Sequence, residues 1–400
     1  MDGYPPPGPM TSNHHDVRSG ERGFALLLVL LLIPIAIVIV VELAYTASLE
    51  YIAAENITDI GKIEYAIDGQ LELTLAHLKY DRKSNEIDAE YDEWNTQDLR
   101  KRTDEDVQLS EQVFDEQGKF NLMRLVSGND VSQARARRML VDILDMFRDG
   151  IAAEREKGGD LDQGTAEDLA ERIVKYLKRE GGSGQVPKPK TTPLHTPLLL
   201  DELSFADDGK LLPSLLVDVK LKDAVAPGLH RYLTVYGTNK INLNTAPLVV
   251  LKAEFTNLQD RETFAQAIID RRRSAPESAP STGPTRPGPT TPTTGSTAGA
   301  STASTQGFPF AEVTGLTDGT VQGLTQEILT RNGIDPAVEF DVKSDFFGVR
   351  IEGATTRTQR AELYVLQRVK TEGFRFLLHQ ERVDRLLATG DDVTPSSDNP

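Results

Sequence analysis

Apolar residues are unevenly distributed along this chain. Phe24 to Val41, FALLLVLLLIPIAIVIVV, runs for 18 residues without a charged or polar side chain. As a helix rising about 1.5 Å per residue it would reach about 27 Å, close to the hydrocarbon thickness of a bilayer. A core helix of a water-soluble domain keeps one polar stripe, and this run has none. Pro34 is compatible with a membrane helix, where neighbouring groups take up the freed carbonyl. Beyond Glu42 the period changes. Leu49, Ile52, Ala53, Ile57, Ile60, Ile63, Ile67, Leu71, Leu75 and Leu78 recur three and four residues apart. That spacing predicts an amphipathic continuation to about Lys79, weakened slightly by Gly61 and Gly69.

Further along, alternation predicts a strand from Val107 to Phe114, followed by a turn in DEQGK. Helical periodicity returns from Gln133 to Phe147, with Ala134, Met139, Leu140, Ile143, Leu144 and Phe147 on one side. A second helix is expected from about Thr165 to Lys178, with Thr165 as N-cap and Asp168 at the third helical position. Leu198–Phe205 and Leu211–Asp218 suggest short helices, and Asp260–Arg273 a longer one. GGSGQVPKPKTTP reads as a turn-rich loop. Residues 274–306 are almost wholly Ser, Thr, Pro, Gly and Ala, a composition that cannot bury a core. AVEFDVKSDFFGVRIEGATT and RAELYVLQRVKTEGFRFLLHQ alternate again, with TEG as a tight connection. Three or four antiparallel strands fit there, and the strand near residue 110 is free to join them. The class predicted is α+β: a long N-terminal helix and an antiparallel sheet, with a helical domain of about residues 120–330 inserted.

Charge and composition narrow the chemistry. The chain carries 44 basic and 61 acidic residues, a net charge of −17, the wrong sign for a surface that attracts phosphate throughout. It has no cysteine, so neither disulfides nor thiolate metal sites are available. His14, His15, His77, His195, His230 and His379 form no zinc-type spacing and read as surface or half-buried histidines. No nucleophile elbow, phosphate loop or zinc signature is present, which argues against an enzyme. Acidic pairs such as Asp207–Asp208 offer oxygen ligands, but the spacing of an EF-hand is missing.

The flanks of the apolar run give orientation and processing. Arg18 and Arg22 precede it, Glu42, Glu50 and Glu55 follow, and the first downstream cation is Lys62. The positive-inside tendency places residues 1–23 in the cytoplasm and the chain beyond about residue 44 across the membrane. An ordinary secretory signal is cut after its apolar region, whereas here SGERGFALL places the candidate site before it. This order resembles the leader of type IV pilins and pseudopilins, which implies cleavage between Gly23 and Phe24, with methylation as part of the same expectation. Most such proteins have glutamate at the fifth mature position, which in this chain is Leu28. A carboxylate in lipid without a partner is costly, so an apolar residue suits a subunit at a filament end, which lacks one neighbour.

FDEQGKFNLMRL, TPLLLDELSF, YLTVYGTNKINLNTAPLVVLKAE, AQAIIDRRRS and VKSDFFGVRIEGA fall in the order seen in the K minor pseudopilins of the type II secretion system. The resemblance covers the chain from Gly23 to Arg382. It implies a pilin-like α/β head with inserted SAM-like, helix-hairpin-helix-like segments. The implied organisation is a leader over 1–23, a spanning segment over 24–44 and an amphipathic periplasmic helix over 45–80. The head begins at 81–119, is interrupted by helical segments at 120–235 and 236–335, and is completed by strands at 336–382 before a tail at 383–400. Two departures stand out: VKYLKRE replaces an acidic element near the second helix, and the 274–306 stretch is much longer than the usual connection. The resemblance implies a non-catalytic subunit that caps a periplasmic pseudopilus and supports export of folded proteins. Its partners would be I- and J-type minor pseudopilins, the major pseudopilin, a prepilin peptidase and the inner membrane. No cofactor is required; calcium in the head is compatible with the family, with no ligands assigned.

A competing reading starts at INLNTAPLVVLKAEF. Asn-x-Asn-Thr-Ala before an apolar helix opens helix-hairpin-helix modules, many of which bind DNA, so a DNA-binding or DNA-uptake membrane protein is the alternative. A DNA-gripping hairpin needs a glycine-rich turn after its first helix so that backbone N–H groups face phosphate. TNLQDRETF has no glycine and carries Asp260 and Glu262 there. Arg271, Arg272 and Arg273 are expected to complement and solvate the end of their helix. The motif is therefore read as a helix start: Asn242 and Asn244 in a turn, Thr245 as N-cap, Ala246 and Pro247 in the first turn, and Val250, Leu251 and Phe255 buried. No nucleic-acid partner is expected. N-terminal sequencing of protein recovered from membranes tests the leader, and the expected first residue is Phe24; any other start refutes cleavage at Gly23.

Overall fold

A computed structural model of the chain describes residues 19–84, 86–95, 101–104, 106–151, 161–178, 196–207, 212–222, 225–273, 309–319, 321–369 and 373–381. Most of the leader, the 274–306 stretch, the tail at 383–400, the loop GGSGQVPKPKTTP and Asp208 lie outside them. The described chain falls into two compact units that divide after Lys62.

The first unit is helical. Helix α1 runs from Ser19 to Ser84 and contains Pro34. It is long and apolar enough to cross a membrane. Its large apolar residues from Phe24, 70% exposed, to Ile57, 71% exposed, have no protein cover, as expected of a surface made for another environment. Leu49, Ile52 and Ile57, the first members of the periodic stripe that runs to Leu78, are among those exposed. The amphipathic period is present, but its residues become buried only from Ile63 onward.

The second unit is built on one sheet. Its strands are β1 (Lys101–Asp104), β2 (Val107–Asp115), β3 (Phe346–Ala354), β4 (Gln359–Val369) and β5 (Gly373–Glu381). They lie side by side in chain order, each antiparallel to the next. Strand β2, expected from its alternation, pairs with the C-terminal strands as the sequence allowed. Its register with β3 runs from Gln108↔Ala354 to Asp115↔Phe347. Everything between Asp115 and Phe346 is therefore an excursion that leaves and rejoins the sheet at adjacent positions, since Asp115 lies opposite Phe347.

Period-2 alternation gives the sheet one face for α1. Val107, Leu109, Val113, Phe347, Val349, Ile351, Tyr364 and Leu366 pack against Ile63, Ala66, Ile67, Leu71 and Leu78. Trp94 closes one end, edge-on to Phe347 with ring centroids 5.4 Å apart. The helix approaches closely at Gly353, where a Cβ would stand 2.7 Å from Ile63 Cγ2, so a side chain there would displace the helix. Glu111 faces the same core from β2, and its carboxylate is met by α1: Gln70 Nε2 donates at 2.8 Å and Thr74 Oγ1 also donates. A polar group buried in this way is tolerated because it is paired.

The excursion is mainly helical, with α2 (Asp130–Met146), α3 (Gln163–Leu177), α4 (Leu248–Glu254), α5 (Arg261–Arg273) and α6 (Gln326–Arg331) around a second core that includes Met139, Leu140, Ile143, Leu169, Ile173, Leu251, Phe255 and Phe340. Two sequence expectations shift. Asp162, not Thr165, caps α3, accepting from the Thr165 N–H at 2.7 Å, because the helix begins two residues before Thr165. Pro336–Glu339, expected to be extended, is a single helical turn. Asp335 caps it and Pro336 takes its first position, where a missing N–H costs nothing.

Truncation of Ile67 to alanine should lower the unfolding free energy of the detergent-solubilised chain by about 2–4 kcal/mol, the usual cost of a buried Ile→Ala change. Ile57→Ala should change it by less than about 0.5 kcal/mol. Urea unfolding of both variants is the check.

Candidate functional site

The motif INLNTAP lies where the helical excursion meets the sheet, and its residues face inward. Ile241–Asn242 pairs in parallel with Phe340–Asp341. The Asn242 amide nitrogen shares its two N–H hydrogens among three acceptors: the Asp88 carbonyl at 3.0 Å, the Asp115 carboxylate at 2.9 Å and Ser344 Oγ at 2.8 Å. Its amide oxygen accepts the Asn244 N–H at 3.0 Å, a local turn that also brings Ala246 N to the Asn242 carbonyl. Asn244 exchanges two hydrogen bonds with the Phe310 backbone, at 2.9 and 2.8 Å. It thereby pins the chain just after the Ser/Thr/Pro/Gly stretch. Both asparagines are fully buried.

The turn expected at Asn242 and Asn244 is therefore present, but Thr245 does not cap the helix. Its hydroxyl donates to Asp115 at 2.6 Å. Pro247 occupies the N-cap position of α4 with an extended ψ of 154° and no side-chain cap bond. The buried face is as expected, with Val250, Leu251 and Phe255 inside. The arginines at the end of α5 also differ from expectation. Arg272 is buried and clamps the motif from behind, donating to the Leu243 and Ala246 carbonyls at 3.0 and 2.7 Å and pairing with Glu90 at 2.7 Å. Arg271 lies 4.0 Å over the Phe310 ring and donates to the Gly315 carbonyl at 2.7 Å. A local carbonyl cage, absent from any sequence pattern, outcompetes solvent for Arg272.

The polar hub continues beyond the motif. Asp115 accepts from Asn242, Thr245, Ser344 and the Gln117 N–H. Burial pushes its carboxyl up to about 6, opposed by the hydrogen bonds from Ser344, Thr245 and Gln117 and reinforced by the charge of Asp88. Asp88 is also raised by burial, against the lowering effect of Arg368. Arg368 pairs with Asp88 at 2.9 Å and reaches the Ser344 and Leu78 carbonyls at 3.2 and 3.3 Å. A second buried network is a ring of four charges. Arg124 and Arg135 each pair with both Glu254 and Glu339. Burial, with the charge of Glu254, raises the Glu339 carboxyl, while the two arginines lower it.

Among the described residues, one acidic group could hold a cation: Asp81, Asp88 and Asp92, whose ligand oxygens lie within 4.8 Å of one another. Their charge already has partners. Arg368 pairs with Asp88 and lies 3.8 Å from Asp81, and Asp92 accepts the Ala89 N–H at 2.6 Å and the Trp94 indole at 3.3 Å. The donor set fits an ion network around a guanidinium better than a calcium cage. His230, read as a surface or half-buried histidine, is buried. Its Nδ1 lies 2.7 Å from the Leu216 carbonyl, and burial pushes it down to about 4, so it is neutral at ordinary pH.

At the other end of the chain, Gly23, Phe24 and Leu28 lie within α1. Leu28 is 46% exposed on a stretch free of ionisable groups. The hub residues outside the motif were not singled out from sequence. Asp115 and Ser344 occur in FDEQGK and VKSDFFG, whose turn residues and alternation carry no sign that they meet.

No family model and no curated protein matches this chain. Among solved structures, it is similar to a chain from the crystal structure of the GspK-GspI-GspJ complex of the enterotoxigenic Escherichia coli type 2 secretion system. The identity is 14%, the match covers 82% of this chain and 98% of that chain, and the TM-score is 0.50. The likeness concerns the fold, and gives the chain a pseudopilin-like α+β architecture.

Asn242→Ala should cost about 2–4 kcal/mol, because three buried acceptors lose a donor at once. Asn239→Ala, which removes one exposed bond to Ser127, should cost less than about 0.5 kcal/mol. Equal losses for the two variants in denaturant unfolding would refute the structural role of the hub.

Proposed function

We propose that this protein is a minor pseudopilin of a type II secretion system, a non-catalytic subunit at the tip of a periplasmic pseudopilus. The observation that carries the reading is the fold likeness, which extends over nearly all of a chain taken from a complex of three such subunits. The exposed apolar helix supports it independently. In this reading a prepilin peptidase cuts between Gly23 and Phe24, α1 anchors the protein in the inner membrane with its N-terminus in the cytoplasm, and the second unit is periplasmic.

The tip position is supported by Leu28. A subunit inside the filament gains from a carboxylate that meets a neighbour's N-terminal amine, whereas a terminal subunit has no such neighbour and would leave the charge unpaired in lipid. I- and J-type minor pseudopilins would be its lateral partners, and the major pseudopilin would continue the filament below. The chain shows no nucleotide-binding motif, so a separate ATPase would drive assembly and export of folded cargo. The DNA-binding alternative has lost its support at the motif itself, since Asn242, Asn244, Thr245 and Arg272 are all engaged inside the protein.

Full-length protein solubilised from membranes should co-purify with the I- and J-type subunits of its own system, and its deletion should leave exported proteins in the periplasm. Unimpaired export in the deletion strain, or a chain purified alone while those subunits purify together, would overturn the assignment.

A further inference from the structure

We propose that the backbone carbonyl of Leu30 is a docking point for the membrane helix of a different protein, which reaches it with a serine or threonine hydroxyl. The inference rests on the membrane-anchored reading of α1 and names what lies beside that helix. It starts from Pro34, which stands inside α1. A carbonyl in an α-helix is bonded by the N–H four residues further on, and proline has none. The Leu30 carbonyl therefore lacks its helical partner, and the proline ring crowds that oxygen as well.

The position makes the loss matter. At about 1.5 Å per residue, Leu30 lies about 9 Å inside the apolar run from Phe24 and about 16 Å from its far end at Val41. The bilayer core has no water, and lipid tails donate no hydrogen bond, so an open carbonyl is costly there. The chain has no remedy of its own at that depth. Further along the same helix, Thr46 and Ser48 turn their hydroxyls back onto the Glu42 and Ala44 carbonyls, at 2.9 and 2.8 Å. Phe24 to Val41 contains no side chain that could do the same for Leu30.

The same composition selects the occupant. A second copy of this helix, parallel or antiparallel, brings no donor to that depth, because its own run is equally bare. An ammonium or guanidinium would have to be desolvated in lipid. A carboxamide would bring a second N–H and an oxygen that need partners in turn. A serine or threonine hydroxyl brings one donor on a small side chain, which lets two helix backbones come close. The open oxygen faces the next turn, between Ile33 and Pro34, and Ile37 stands one turn further along the same side. Both isoleucines are exposed, so the approach is clear.

The test uses the full-length chain co-expressed in membranes with the other proteins of its secretion system, with photo-reactive benzoylphenylalanine in place of Ile37. Pro34→Leu restores the missing N–H. Ile33→Thr keeps the proline and supplies a hydroxyl from within the helix, three residues after Leu30, where a threonine can bond back to the carbonyl. Ile33→Val is the size control. The expected result is an adduct to a different membrane protein. Pro34→Leu and Ile33→Thr should each reduce it about threefold, the scale of one hydrogen bond between membrane helices, and Ile33→Val should leave it unchanged. Alanine in place of one serine or threonine in the captured helix should give the same reduction, with no further loss in Ile33→Thr. A loss in Pro34→Leu without one in Ile33→Thr would mark a bend rather than a bond, and overturns the proposal. So does an intact complex with no adduct, an adduct to a second copy alone, equal losses from Ile33→Thr and Ile33→Val, or a captured helix in which no serine or threonine matters; each leaves the function assigned above. Recovery of the wild-type chain as soluble protein overturns both.

Discussion

The amide of Asn242 bonds three stretches of chain that are far apart in sequence: the segment after α1 at Asp88, the end of β2 at Asp115 and the approach to β3 at Ser344. Removed from water, each of these groups would be costly if unpaired, and the arrangement that pairs them all is narrowly defined. This is what makes the junction specific. The excursion of chain between Asp115 and Phe346 has its own core, and apolar burial, being non-directional, does not by itself set its orientation on the sheet. Hydrogen bonds are directional, and pairing the amide, the carboxylate and the hydroxyl together does set it. Arg272 extends the constraint to α5, and Asn244 extends it to Phe310.

The two ionic networks serve the same end in different places. The ring of Arg124, Arg135, Glu254 and Glu339 joins segments from four parts of the excursion. Buried ion pairs often add little net stability compared with apolar packing, but breaking one partner away leaves an uncompensated charge. Such a ring therefore penalises wrong packings more than it deepens the right one. Arg368 acts likewise between α1 and the sheet, bonding the Leu78 carbonyl near the helix end while pairing with Asp88.

Periodicity made the large elements legible. The apolar run, the strand at Val107 and the helix ending near Phe147 each follow from side chains repeating at the spacing of one secondary structure, a local property. The motif at Ile241 was legible as a turn followed by an apolar helix, and its rejection as a phosphate grip followed from residues that were missing. The jobs of its side chains were not legible. Thr245 is a reasonable cap by sequence, but α4 begins after Pro247 and the hydroxyl is instead held by a buried carboxylate on β2 that lies 130 residues away. Arg272 looked like a solvated helix end for the same reason. The stripe of α1 was correctly read as amphipathic, but a stripe does not reveal where its cover begins.

The pairing of β2 with β3 has a kinetic consequence. The two strands touch from Gln108↔Ala354 to Asp115↔Phe347, so this ladder joins parts of the chain separated by the whole helical excursion. Closing a longer loop is thermodynamically mild, since each doubling of its length costs only about 0.6 kcal/mol. Its effect falls on timing, because contacts distant in sequence form late. During synthesis, the excursion can complete its own core while the β1–β2 hairpin still waits for β3, and the sheet face that covers Ile63 and Ile67 is completed only once the last strands arrive. The order of synthesis thus allows a stage in which a folded helical body is flanked by an incompletely covered helix and a two-stranded hairpin. That is the stage at which a chaperone, or a premature partner, would find it.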